Sequence, residues 1–455
     1  MSDPKKDLAD AVPRHAAGPD ASPVTGLPVS APAPRGSLWE ATSAPPPATP
    51  PLVDTIDCDV LVIGAGIAGL STALALAEAG TATVVLEADA IGAGATGQSG
   101  GLIAPDFIRH TPESIAEAIG REAGERLSRF VGGSAAAAFA LAERLGIACD
   151  PQRGGFITPA HNEAAAHRQR DLAAQWASRG YPVRFIGPDE VRDALGTARY
   201  LGGVRFEEGG SLNPLALVRG LATAALARGA RIHTASPVTA LARHGDQWVA
   251  TAPGGTVRAR RVVLAANGGN ARLHPALART VLPLPVVEFA TAPLDPALRK
   301  AIIPKAGGFT DKTPYVFTAR YDGHGHLVSA FPGSWLIRGD AAIRREAQRR
   351  LAWQYPALRD VEIRYLWPGT AWINPSLLPI LSDLGDGAIA VQACNGRGLS
   401  TNLMLGQALG AWLAGTEGPD LPVLPVPPVA VRNHAFARLM PTVLMGIAQL
   451  GARFR

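Results

Sequence analysis

The chain has 455 residues, more than one ordinary core holds, so two intimate domains are the expectation. Its net charge of +5 is carried mainly by scattered arginines without a basic run, which argues against a nucleic-acid reader. The three cysteines, Cys58, Cys149 and Cys394, form no CxxC pair; that argues against a disulfide framework or zinc site and suits a reducing cytoplasm, and no signal peptide or transmembrane helix is visible.

Residues 1–50 are rich in Pro, Ala and Ser and cannot bury enough apolar area to offset chain entropy, so they are expected to be a disordered or loosely docked tail. The exception is Ser37–Ala41, where Trp39 is a candidate anchor on the folded body. The body opens with an apolar strand from Cys58 to Ile63, a Gly-rich turn, a helix from Ile67 to Ala79 ending at Gly80, and a second strand from Thr83 to Glu87. A Gly-rich loop follows over 90–105, then helical spacing over 113–146 and 163–179 with a short strand at 155–158 between them. Asn213-Pro214 reads as a helix start, and strands are expected at 231–234, 248–251 and 261–266. Residues 281–335 are strand-like and Pro-punctuated, which predicts an antiparallel sheet; 339–354 is a charged helix, 388–392 a strand, and an apolar helix begins near Ser400.

The strand–turn–helix carries Gly64-x-Gly66-x-x-Gly69. The first glycine permits the tight turn, the second lets backbone N–H groups approach a pyrophosphate, and the third lets helix and strand pack closely. Phosphates then sit at the positive end of the helix. Glu87 closes the second strand, where a carboxylate accepts hydrogen bonds from ribose hydroxyls and opposes a 2′-phosphate. An ADP-bearing dinucleotide follows; the fingerprint alone leaves FAD and NAD both open.

Further motifs extend the pattern in order: Leu86-Glu87-Ala88 with the loop from Ile91 to Gly101, Gly196 to Tyr200, Gly209 to Pro214, Ser236-Pro237-Val238, Val262 to Gly268, Trp367 to Thr370, Pro379-Ile380, and Gln392 to Leu399. This ordered set resembles the FAD-dependent D-amino-acid and glycine oxidase type of oxidoreductase, nearest to its γ-glutamylputrescine-oxidase-like branch, over about residues 37–430. The resemblance implies an α/β fold with a discontinuous Rossmann-type FAD-binding domain (51–110, 205–275 and 365–430), a helical and antiparallel-sheet substrate domain (111–204 and 276–364), and a C-terminal tail or helix over 431–455. It implies non-covalent FAD held by Gly64, Ala65, Gly66, Ile67, Ala68, Gly69, Glu87 and Ala88, by Ala95, Thr96, Gly97, Gly100, Gly101 and Leu102, by Val238, by Ala266, Asn267 and Gly268, and by Asn395, Gly396, Arg397, Gly398 and Leu399. Some relatives carry a flavin-linking histidine where this chain has Gln98, and Cys394 is then the remaining candidate for a thioether.

The implied reaction is oxidation of an amine or amino acid by hydride transfer to flavin, giving an imine, with oxygen as acceptor. Such chemistry requires position and electrostatics rather than a protein acid or base. Candidates for placing a small-molecule amine are Arg320, read as a clamp for a substrate carboxylate, with Tyr315 and Trp372 as cage aromatics. Residues Gln98-Ser99, Leu377-Leu378, Leu381 and Cys394 depart from the family pattern on the substrate side. The alternatives are a dehydrogenase using a quinone or electron carrier, a flavin monooxygenase, and a non-catalytic FAD-binding protein; neither a nucleic acid nor a membrane is an expected partner.

Overall fold

Residues Val60 to Ile63 form a run with no polar side chain, and such a run is stable as a strand only when both faces are covered. In the computed structural model, which describes residues 36–313, 316–392, 395–416 and 421–453, the strand Thr55–Ile63 lies between two parallel neighbours, Thr83–Leu86 and Gly255–Leu264. The sheet continues on one side to Arg231–His233 and on the other to Ala388–Gln392 and Ile380–Asp383. Every one of these neighbours is parallel except the edge strand Ile380–Asp383.

The period of two divides the run between two cores. Val60 and Val62 join Val85, Ile232 and Val263 in a cluster with the helices Ile67–Glu78, Pro214–Ala227 and Gly398–Ala414. Leu61 and Ile63 join Val84, Leu86 and Leu264 on the opposite face, where Trp248 covers them. Trp248 comes from the antiparallel strands Ala240–His244 and Gln247–Ala252, of which the second pairs with the outer half of Gly255–Leu264.

A second eight-stranded sheet runs in the order Ile363–Ile373, Leu282–Pro293, His326–Pro332, Phe317–Tyr321, Phe309–Asp311, Phe156–Pro159, Gly203–Phe206, Val183–Ile186. It is antiparallel apart from the Phe309–Ile157 pairing. Its core is aromatic, built on Phe289, Phe309, Phe317, Phe331, Tyr200 and Tyr355. The fold is therefore α/β, a Rossmann-type body with an antiparallel-sheet partner.

Three boundaries differ from the sequence reading. The helix expected over 113–146 is two, Pro112–Ile119 and Arg121–Arg144, separated at Gly120 in the left-handed region with φ of 88°. The strand expected at 261–266 begins six residues earlier, at Gly255, because its outer half has a hairpin partner. The strand Ile363–Ile373 lies wholly in the second sheet, so a boundary between 364 and 365 would cut through it.

The segment 37–54 is not loosely held. Ser37 caps the short helix Leu38–Thr42. Leu38 and Trp39 are fully buried, and the indole N–H of Trp39 donates to the Ser99 carbonyl at 2.8 Å. The Trp39 ring meets Trp367 edge-on at 5.8 Å, and the Arg320 guanidinium lies 4.6 Å over it. Beyond it, Glu40 pairs with Arg219 at 2.8 Å, Thr42 and Ser43 bond Asn213, and the Leu52 N–H donates to Ser236 Oγ. Composition hid this because the strap carries few apolar groups and relies on polar contacts. Trp39→Phe keeps most of the packing but orphans the Ser99 carbonyl; urea unfolding is expected to show a loss of about 1–2 kcal/mol. An unchanged midpoint would show that this hydrogen bond contributes nothing.

Among the described residues, no helix is long and apolar enough to cross a membrane.

Candidate functional site

The two sheets enclose a cavity of about 850 Å³ lined by residues of both. One end is the nucleotide fingerprint. Gly64 adopts φ of 115°, and a Cβ there would lie 2.7 Å from the Ala265 carbonyl oxygen. At Gly69 a Cβ would lie 2.0 Å from the Gly64 carbonyl oxygen, closer than any real contact, so the helix Ile67–Glu78 can start this near the strand only with glycine there. Gly66, Ile67 and Ala68 border the cavity at the helix N-terminus. The Ile67 N–H donates to Thr96 Oγ1 at 3.1 Å, fastening the 91–101 loop over the turn.

Glu87 stands at the end of the second strand and borders the cavity with Ala88 and Asp89. Its carboxylate accepts the Ala65 N–H at 2.7 Å and the Asp89 N–H at 3.0 Å. Burial raises its pKa, and those two N–H groups oppose the rise. Each oxygen keeps lone pairs for hydroxyl donors. This donor and acceptor set fits an adenosine ribose and a pyrophosphate, which are the parts of FAD that the fingerprint would hold.

The structure gathers most of the expected cofactor residues on this one cavity. Ala95, Thr96, Gly100, Gly101, Leu102, Ala266, Asn267, Gly396, Arg397, Gly398 and Leu399 all border it. Others stand behind the wall: Ala65, Gly69 and Gly97 are packed within the turn and loop, and Gly268 lies against the Trp372 ring, which a Cβ would strike at 2.1 Å. Val238 does not reach the cavity; it packs beside Trp248, while its neighbour Ser236 donates its N–H to the Glu87 carbonyl at 2.8 Å.

Asn395 shapes the last turn from the side. It adopts φ of 47°, its Oδ1 accepts the Asn374 N–H and its Nδ2 donates to the Leu378 carbonyl. Arg397 is bonded to Asp106 at 3.3 Å and lies 4.9 Å over Phe156, so its guanidinium is committed to the protein. The helix Gly398–Ala414 starts at the cavity, with Gly398, Leu399 and Asn402 on the wall. Its N-terminal N–H groups are the natural place for negative charge.

The second sheet supplies the opposite wall, through Leu284, Val286 and Glu288, Thr318 and Arg320, and Val328 and Ala330. Of the candidates for substrate placement among the described residues, Arg320 and Trp372, only Arg320 borders the cavity. Trp372 is buried beneath Gly268, with Val281 as its neighbour. Tyr315 lies outside the described residues, as does Cys394. Arg320 is itself hemmed in. Its Nε–H bonds the Gly100 carbonyl, Trp39 covers one face, and a Cβ on Gly101 would lie 2.2 Å from Nη2. Burial brings its pKa down to about 10 against the pull of Asp322, Glu288 and Asp150. The side chain braces the 98–101 loop, a role that its position in a hairpin did not disclose.

Two acidic residues of the site were not singled out in the sequence. Asp106 is fully buried and joins Lys312 at 2.9 Å to Arg397 at 3.3 Å, and Lys312 keeps about 32% of its surface. Burial lowers the pKa of both cations, and Asp106 opposes that. Glu288 is the single charge in the apolar strand Leu282–Pro293; one acid in such a run was the available signal.

Residues 59–412 match the model of the DAO family, described as FAD dependent oxidoreductase. The gamma-glutamylputrescine oxidoreductase of Escherichia coli (strain K12) is 28% identical over 367 residues, covering 80% of this chain and 85% of that protein. Among solved structures, glycine oxidase from Geobacillus kaustophilus superposes with a TM-score of 0.68 at 20% identity, covering 80% of this chain and 96% of that one. L-Proline dehydrogenase from P. horikoshii gives 0.69 at 16% identity, covering 81% and 96%. At these identities the two solved structures speak for the fold.

Proposed function

The chain belongs to the DAO family of FAD-dependent oxidoreductases, and from that premise we propose that it oxidises the C–N bond of an amine or amino acid, giving an imine, with oxygen as electron acceptor. The observation that carries the reading is the single cavity, which runs from the nucleotide fingerprint at Gly64 to Gly69 to a wall of the second sheet holding one buried carboxylate. Relatives and neighbours are named for γ-glutamylputrescine, glycine and L-proline, compounds that all contain an aliphatic carbon–nitrogen bond.

In this reading Gly66 and Ala68 offer N–H groups at the helix start to the pyrophosphate, with Ile67 held by Thr96, Glu87 takes the ribose hydroxyls, and the wall from Gly100 to Leu102 meets the ring end. Bound FAD supplies the hydride acceptor. The protein's part is to orient the substrate C–H, exclude water along the wall of Leu284, Val286, Val328 and Ala330, and stabilise charge through the helix that begins at Gly398. Non-covalent FAD belongs to this reading because Gln98 stands where some relatives carry a flavin-linking histidine.

The test is anaerobic addition of γ-glutamylputrescine, putrescine, glycine or L-proline to the yellow holoenzyme. Bleaching of the flavin by at least one of them is expected, followed by recolouring and hydrogen peroxide on admission of air. A panel that leaves the flavin oxidised sinks the amine reading. Bleaching with recolouring only on addition of a quinone replaces oxygen with a dehydrogenase acceptor.

A further inference from the structure

Glu288 sits midway along the strand Leu282–Pro293, on the face that carries Leu284 and Val286 to the cavity. Its register partners in the adjoining strands, Ala330 and Trp367, bring no charge. It is 6% exposed, and its Oε2 has no hydrogen-bond partner. A buried carboxylate oxygen without a donor is expensive unless a ligand supplies one. The charged group facing it is Arg320 on Phe317–Tyr321, one strand beyond the adjoining His326–Pro332; its Nε–H is already given to the Gly100 carbonyl and its face is covered by Trp39. The remaining neighbour is the Gly100 backbone, where a Cβ would lie 2.9 Å from Oε2. The Gly100 N–H and Arg320 favour the charged carboxylate, yet among the described residues no group bonds Oε2, and the side chain borders the cavity.

The missing partner must bring N–H donors and positive charge, and beside Glu288 it would meet the apolar wall of Leu284, Val286, Val328 and Ala330. An aliphatic ammonium has both properties. The cation facing Glu288 is Arg320, whose Nη2 also lacks a partner among the described residues but is wedged against Trp39 and Gly101, so at this point of the wall a substrate carboxylate would meet Glu288 as a like charge.

We propose that Glu288 is a catalytic residue that binds the incoming substrate through its ammonium group and takes a proton from it, so that the site selects primary or secondary aliphatic amines by their cation rather than by a carboxylate. In this step one N–H bond of the ammonium breaks, an O–H bond forms on Glu288, and the nitrogen recovers its lone pair; nothing is oxidised or reduced. The amine is then neutral, the form from which hydride can leave the adjacent carbon. The inference rests on the amine-oxidation reading above. Burial pushes the Glu288 carboxyl up to about 8, against the pull of Arg320 and the Gly100 N–H. Its capacity to accept a proton therefore grows as pH rises through that value.

The test uses the flavin-loaded enzyme and two probes of one shape: tert-butylamine, whose cation has no C–H to lose as hydride, and pivalate, its anionic counterpart. Flavin absorbance is expected to shift on titration with tert-butylamine. Glu288→Gln should weaken that binding about 10-fold or more, the scale of a charge-assisted hydrogen bond, and leave the response to pivalate unchanged. With an amine that bleaches the wild type, the bleaching rate at low amine should rise through about pH 8. In Glu288→Gln that limb should move to the free amine's own titration near ~10. Glu288→Asp, which keeps the carboxylate, should restore the limb in part, and it also serves if the glutamine variant loses its flavin. Equal tert-butylamine affinity and an unmoved limb in Glu288→Gln would overturn the proposal, as would tighter binding of pivalate than of tert-butylamine. If no amine bleaches the wild type the functional reading fails, and tert-butylamine binding still decides whether Glu288 holds an ammonium.

Discussion

A Gly69→Val chain is expected to come off a column colourless. The Cβ that valine adds would lie 2.0 Å from the Gly64 carbonyl oxygen and 3.3 Å from the Ala265 Cβ, and the first of these is backbone that has nowhere to go. Gly64 is itself held at φ of 115°, with its own missing Cβ facing Ala265. The strain must therefore be relieved by moving the helix Ile67–Glu78 away from its strand, and that helix carries the N–H groups proposed to meet the pyrophosphate. The helix also packs on Gly398–Ala414, where Gly406 has its missing Cβ 2.0 Å from Ser71 Oγ, so it cannot retreat freely. We expect retained FAD to fall by more than about 100-fold and stability to drop by about 3–5 kcal/mol, the upper range for a single change. Flavin absorbance per protein and urea unfolding measure the two. A yellow Gly69→Val protein with wild-type stability would show that the close approach is not required.

Asp106→Ala is expected to be almost as damaging, for an electrostatic reason. Its carboxylate is fully buried and is the anion between Lys312 and Arg397. Removing it leaves Arg397 buried without its anion and facing Lys312, which is about one-third exposed. Breaking one partner out of a buried ion pair typically costs about 3–5 kcal/mol. The sign of the pH dependence follows from Lys312, whose pKa lies below the usual lysine value because burial outweighs Asp106. Without Asp106 it must fall further. A lysine depressed in the folded state binds fewer protons there than in the unfolded chain, so stability increases as pH rises through the folded pKa. The variant should therefore lose more at about pH 6 than at about pH 9, as urea midpoints at the two pH values will show. A loss independent of pH assigns the damage to packing alone. Asp106→Asn keeps the shape and should fall between.

What could be read in the sequence was what is local. Gly64, Gly66, Gly69 and Glu87 sit within one strand–turn–helix–strand unit, so their spacing reports their geometry directly. The second sheet was legible as antiparallel from its Pro-punctuated strands, and Trp39 stood out as a large aromatic in a segment otherwise too polar to fold. The misreadings involve partners far apart in the chain. Trp372 looked like a cage residue because nothing in its own strand shows that Gly268 makes room for its ring. Val238 is near Glu87 through the backbone of Ser236, yet its side chain packs against the apolar cluster that includes Leu86 and Trp248. Asp106 meets groups 206 and 291 positions away, and no periodicity encodes such a meeting. Arg320 was read as a substrate clamp from its hairpin, whereas the residues that immobilise it, Trp39 and Gly100 to Gly101, lie more than 200 positions earlier.

The Trp39 strap also bears on how the chain is made. A ribosome delivers Trp39 long before Trp367, the residue its ring meets edge-on, and 328 residues separate them (367 minus 39). At ~5–20 residues per second that interval is about 16–65 s, long compared with the folding of a single domain. For all that time the ring lacks its edge-on partner, although the Ser99 carbonyl that its N–H bonds is made 60 residues after it. The first described segment to be synthesised is thus among the last that can settle, and newly made chains pass through a stage in which the Rossmann unit is present but its outer clasp is open.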